Sequence, residues 1–137
     1  MHDHLSIYLE DIEKALRNLK GVYIERYEEE ILTSIRMNLR IRIRFQNNEL
    51  LEFNEAVIAD DENRVTHLGY RYHFQDKNNQ LIFRYDNTPH HPGIESFPHH
   101  KHTPDNVAAV NQKPTIPEAI KEAQIISDLS KKNQCLH

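Results

Sequence analysis

Residues 37–45 read MNLRIRIRF, with Met37, Leu39, Ile41, Ile43 and Phe45 alternating against Arg40, Arg42 and Arg44. A period of two marks a strand with one buried and one wet face. The same habit extends to both sides of this run. Residues 22–33 precede it, with an EEEIL stretch that reads equally as helix or strand. Residues 50–59 follow Asn47-Asn48, residues 65–75 follow the turn-like 60–63, and residues 81–86 follow 76–79. Short connections between alternating runs predict an antiparallel meander.

Matching apolar partners gives a register. It sets Phe45 opposite Leu51, Ile43 opposite Phe53 and Leu39 opposite Val57, with Arg44 and Glu52 as a cross-strand ion pair. In the last hairpin, Phe74 with Leu81, Tyr72 with Phe83 and Tyr70 with Tyr85 make one aromatic face, for which core packing is the simplest role. The opposite face then sets Arg71 against Arg84, with His73 beside them and Asp86 two residues on. Like charges directly opposed destabilise a sheet, so either a carboxylate intervenes or the site holds an anion.

Helical patterns flank the strands. Leu5, Tyr8, Leu9, Ile12, Ala15, Leu16 and Leu19 form a stripe that predicts a helix over residues 5–20, with Gly21 placed to stop it. Thr115-Ile116-Pro117-Glu118 has capping-box spacing with an early proline, and Ile116, Ala119, Ile120, Ala123, Ile126 and Leu129 continue as a stripe across residues 117–131. Residues 106–111, NVAAVN, could add a short edge strand. The expected fold is α+β in a single domain of residues 1–137: an antiparallel meander sheet of about five or six strands over roughly residues 22–87, with an N-terminal and a C-terminal helix.

Composition narrows the function. Charged residues at 28% and apolar residues at 38% suit a small folded protein rather than a disordered one. A net charge of −4 argues against a generally basic nucleic-acid binder, although residues 36–44 carry four arginines. No apolar run approaches a membrane span, the N-terminus is too acidic for a signal peptide, and the one cysteine, Cys135, cannot form an internal disulfide. A cytoplasmic location without membrane attachment is the expectation. Glycine-rich nucleotide loops and a GxSxG nucleophile motif are absent.

The chemistry concentrates in residues 86–102, DNTPHHPGIESFPHHKH, a loop holding His90, His91, His99, His100 and His102, five of the ten histidines. Imidazole titrates near neutrality and can both accept and donate a proton, which is what phosphodiester cleavage in RNA requires. A metal site is a second reading. His100 and His102 would project to one side of an extended chain, with Asp86 or His90 completing a set, but the spacing matches no strong zinc signature. The third reading is structural, with rings packed on a proline-stiffened loop. It suits any one histidine better than all five together.

The run His73-Phe74-Gln75-Asp76, then Leu81-Ile82-Phe83-Arg84-Tyr85-Asp86-Asn87, then Pro89-His90-His91-Pro92 and Phe97-Pro98-His99-His100-Lys101-His102 resembles the TumE family. These are small bacterial and archaeal proteins, the toxin components of type II toxin–antitoxin modules. The resemblance implies a cytoplasmic toxin neutralised by a cognate antitoxin protein, and many toxins of such modules attack RNA or translation. The leading expectation is a ribonuclease that uses neither metal nor other cofactor. Arg71, Arg84 and Lys101 would hold phosphate. Two of His73, His90, His91, His99, His100 and His102 would transfer protons, and Asp86 would orient a ring or hold the loop. The partners to expect are the antitoxin, an RNA substrate and a second copy of the chain in a homodimer. The alternatives are a non-catalytic module that pairs with an antitoxin or nucleic acid, and a metal-dependent nuclease.

Overall fold

Each strand of the sheet pairs only with its neighbours in sequence, antiparallel throughout, in the order β1-β2-β3-β4-β5-β6-β7. The computed structural model describes residues 3–62, 64–88 and 99–135. Helix α1 (Asp3–Arg17) leads into β1 (Val22–Ile31), β2 (Arg36–Phe45), β3 (Leu50–Ala59), β4 (Val65–Gln75) and β5 (Leu81–Asp86). Then come β6 (His100–Thr103), β7 (Asn106–Ala109) and helix α2 (Ile116–Cys135). The α+β meander with a helix at each end is as expected. The sheet has seven strands rather than five or six, and the additions lie beyond residue 87.

Both helices cover one face of the sheet. Leu5, Leu9, Ile12 and Leu16 of α1, and Ile116, Ala119, Ile120 and Ala123 of α2, pack into one core with Leu39, Ile41, Phe53, Tyr72 and Phe83. Burying one such large apolar side chain is worth about 1.5–3 kcal/mol, so this shared core is what holds the helices to the sheet. Helix α1 ends at Arg17, three residues before the expected end. Gly21, at φ 71°, sits in the turn entering β1, where an added Cβ would come within 3.1 Å of the Gln46 side chain. The expected capping box begins α2: Glu118 N donates to Thr115 Oγ1 at 3.1 Å, and Thr115 N donates to Glu118 Oε1 at 2.9 Å. The helix then runs beyond residue 131 to Cys135.

The strand faces are as expected, but the registers differ by two residues. Ile43 lies opposite Leu51, Ile41 opposite Phe53 and Met37 opposite Val57, and the residue opposite Glu52 is Arg42 rather than Arg44. In the later hairpin Phe74 lies opposite Phe83 and Tyr72 opposite Tyr85, so Arg71 faces Asp86 and Arg84 faces His73. The expected opposition of Arg71 to Arg84 does not occur.

The two corrections have different causes. Asn48 (φ 65°) and Asn79 (φ 63°) adopt the left-handed conformation, which asparagine tolerates unusually well. Each ends a three-residue turn, with Phe45 N bonded to Glu49 O at 2.9 Å and Asp76 N to Gln80 O at 2.9 Å. The first turn closes early, setting Phe45 opposite Glu49 instead of Leu51. In the later hairpin the register shifts between Phe74 and Gln75, where Ile82 is the extra residue. In both, the aromatic residues and the arginines keep their expected faces.

A bulge in β4 has a larger effect. Ala56 pairs with Gly69, but the next pair is Val57 with His67, which leaves Leu68 as the extra residue. A bulge turns the side chains beyond it to the other face. His67, which strict alternation would place opposite Tyr70 and Tyr72 in facing, therefore joins the helix-covered side.

Candidate functional site

The helix-free face carries two rows of polar residues at right angles to the strands. One runs Arg40, Asn54, Arg71, Asp86, His100, each the register partner of the next. The other runs Arg42, Glu52, His73, Arg84, His102. Neighbouring strands lie about 4.8 Å apart, so each row brings together groups far apart in sequence.

Asp86 is the centre of the acid–base cluster. It is buried, accepts from Arg84 Nε at 3.1 Å and lies 3.2 Å from His102 Nε2 and 3.9 Å from His100 Nδ1. Thr88 N also donates to Asp86 Oδ1, at 3.3 Å. His100 and His102 are buried beside it. Burial holds the His102 imidazole below its ordinary pKa against the pull of Asp86. His73 is half-buried, and burial together with the Arg71 and Arg84 guanidiniums lowers its pKa from the ordinary 6.5. Its Nε2 lies 3.1 Å from Gln75 Oε1, while its buried Nδ1 has no hydrogen-bond partner among the described residues. A neutral imidazole of this kind can act as a base.

The expected site residues thus divide between the faces. Arg71, His73, Arg84, Asp86, His100 and His102 come together on the helix-free side. Lys101 projects to the other side, where its Nζ donates to Glu122 Oε2 at 2.6 Å and sits 5.2 Å from the centre of the Tyr85 ring. His99 is also there, with Nδ1 2.9 Å from the Tyr70 hydroxyl. His90 and His91 lie outside the described residues. The residues expected as one loop include strand β6, whose alternation is hidden because its inward positions are histidines.

A second titratable cluster, not expected from the sequence, lies under the helices. The Glu55 carboxylate is wholly buried and bonded by the Tyr8 hydroxyl (2.6 Å to Oε2), His67 Nε2 (2.9 Å) and the Tyr72 hydroxyl (3.2 Å). Lys113 Nζ donates to the Tyr72 hydroxyl at 2.7 Å and to Pro114 O at 2.8 Å. Burial raises the Glu55 pKa, but the hydrogen bond and charge of His67, followed by Lys113 and Tyr8, outweigh it and leave the carboxyl below 4.5. Burial pushes both tyrosines up, so they remain donors. Glu55 was identifiable in principle, because it shares the odd-numbered apolar face of Leu51, Phe53, Val57 and Ala59. His67 was not, since its facing depends on the bulge.

Among the described residues no group of three or more His, Cys, Asp or Glu is placed to hold a metal ion. Among them, too, no helix is long and apolar enough to cross a membrane.

The architecture defines a helix-backed antiparallel sheet whose other face carries arginine, histidine and a buried aspartate. By sequence comparison the chain belongs to the TumE toxin family: the family described as "Toxin TumE" matches residues 12–129. No curated protein and no solved structure matches the chain.

Proposed function

We propose that this cytoplasmic toxin cleaves RNA without a metal ion, by proton transfer between imidazoles on the helix-free face, and that a cognate antitoxin protein neutralises it. The observation that carries the reading is the row His73, Arg84, His102 on three consecutive strands, with Asp86 touching both Arg84 and His102 from the adjacent row. Cleavage through the 2′-hydroxyl needs a base for that proton, an acid for the departing 5′-oxygen and positive charge at phosphorus. Neutral His73 serves as the base. Arg71 and Arg84 hold the phosphate, and His102 or His100, oriented by Asp86, returns a proton to the leaving oxygen. The new bond joins the 2′-oxygen to phosphorus as the bond to the 5′-oxygen breaks, leaving a cyclic phosphate.

The burial of Asp86, His100 and His102 favours a second reading. In it these residues brace the β5–β6 pairing, and the face binds a partner without chemistry. The deciding experiment incubates purified protein with single-stranded RNA in the presence of a chelator, alongside Arg84→Ala and His100→Ala. Cleavage that persists with chelator and drops in the variants supports the ribonuclease. Cleavage undiminished in both variants sinks the site, and cleavage abolished by the chelator points to a metal-dependent nuclease instead.

A further inference from the structure

Beside the acid–base cluster, on the same face, lies an open groove of about 360 Å³. Its walls include Asn38, Arg40, Asn54, Arg71 and Asn87, and its floor includes Ala56 and Gly69. Three features single it out.

The first is charge. Arg40 and Arg71 stand on either side of Asn54 in one cross-strand row, and all three are exposed. Their neighbours each have a carboxylate in reach: Arg44 and, at 3.8 Å, Arg42 share Glu25, and Arg84 lies 3.1 Å from Asp86. The carboxylate opposite Arg40, Glu28, is engaged by Arg26 at 2.8 Å. Neither Arg40 nor Arg71 has an ion-pair partner among the described residues. Their Cα atoms are separated by two strand spacings, about 10 Å, which two long side chains can close onto adjacent phosphates.

The second is the floor. Gly69 pairs with Ala56, so two of the smallest side chains lie side by side. The Gly69 backbone does not have a positive φ, and a Cβ built there would meet nothing nearer than Asn87 Oδ1 at 4.0 Å. Neither backbone strain nor crowding demands glycine at this position. Its absent side chain leaves open space beside the row that carries the two cations.

The third is direction. The row that holds Arg40 and Arg71 continues to Asp86 and His100. A strand of nucleic acid held by the two arginines is thereby aimed at the acid–base cluster.

We infer that this groove is the substrate track: it binds single-stranded RNA running across the β-strands, with adjacent phosphates on Arg40 and Arg71 and a nucleoside over Ala56 and Gly69. The inference rests on the ribonuclease reading and adds to it Arg40, Gly69 and the path of the chain.

The test measures binding apart from cleavage. The probe is a single-stranded RNA oligonucleotide with 2′-O-methyl groups, which cannot react through the 2′-oxygen, titrated by fluorescence anisotropy across a salt series. Arg40→Gln should weaken binding about tenfold, as expected for one charge-assisted contact. It should also reduce the slope of log affinity against log salt by about 0.7, the value for one phosphate on a single strand. Gly69→Val, whose Cβ has room, should weaken binding with the slope unchanged. Circular dichroism would establish that both variants are folded. If wild-type protein binds and cleaves RNA but both variants bind like wild type, the groove is overturned while the ribonuclease reading stands. If the variants lose binding as expected but wild-type protein cleaves no unmodified RNA, the groove stands and the catalytic reading falls. Absence of RNA binding by wild-type protein overturns both.

Discussion

The two faces of this sheet each carry a carboxylate, histidines and cations, and they use them in opposite ways. Under the helices, Glu55 is bonded by Tyr8, His67 and Tyr72, and Lys113 donates its protons to Tyr72 and a carbonyl. That network joins α1, β3, β4 and the segment before α2 around a wholly buried carboxylate. On the helix-free face, Asp86 is equally buried, but its row continues through Arg71 to Arg40, both exposed and without ion-pair partners among the described residues. A buried charge with a full set of partners stabilises only the arrangement that supplies them. A cation left unmatched at the surface is available to a ligand. The contrast separates residues that hold the fold from residues left open to a ligand.

The sharpest way to break this contrast is to exchange the expected effects. His73→Ala should reduce RNA cleavage about 10³-fold, the usual scale for loss of a general base, with a change in stability below about 1 kcal/mol. Because burial and the neighbouring arginines lower its pKa, His73, as the proposed base, would reach its neutral form below pH 6.5. The acidic limb of the pH–rate profile should therefore lie below that value in wild type and vanish in the variant. A variant that unfolds but cleaves normally in its folded fraction would erase the distinction between the faces.

Glu55→Ala should do the reverse. Removing it leaves donors buried without their acceptor, at a cost of about 3 kcal/mol in urea unfolding, while cleavage per folded molecule is retained. Its pH signature has a definite sign. The folded-state pKa is depressed below 4.5, so the contribution is complete above that value and is lost as pH falls through the folded pKa. Wild type should therefore lose stability on acidification below pH 4.5 more steeply than Glu55→Gln.

The smallest effect sharpens the boundary. Lys101 and Glu122 are each about 30% exposed, so Lys101→Met should cost only about 0.5 kcal/mol and leave the salt slope of RNA binding unaltered. A slope change like that of Arg40→Gln would return Lys101 to the phosphate-binding set.

Much of the fold was legible because the alternation is strong. The limits of β3, β4 and β5 follow from it directly, as does the start of α2 from Thr115 and Glu118. What was not legible depended on single residues whose conformation is set by tertiary closure. The tight turn at Asn48 moved the first register and the extra residue Ile82 in β5 moved the second, which removed the Arg71–Arg84 opposition while keeping both side chains on the expected face. Leu68 bulged and turned His67 inward. Strand β6 went unseen because histidine occupies its inward positions, and a period-two reading looks for apolar side chains there. The candidate site was thus found in composition and facing, but not in its pairings.

The sequential order of the sheet bears on how the molecule is made. Every strand joins a partner adjacent in the chain, so each hairpin can form with little loop-closure entropy and without waiting for distant segments. The alignment of Arg40, Asn54, Arg71, Asp86 and His100 is complete when β6 has been added, before any residue of α2 is needed. Only the core requires both ends of the chain, since α1 and α2 meet across it. Assembly of the cationic face is local and early, whereas its persistence depends on the longest-range contact in the protein.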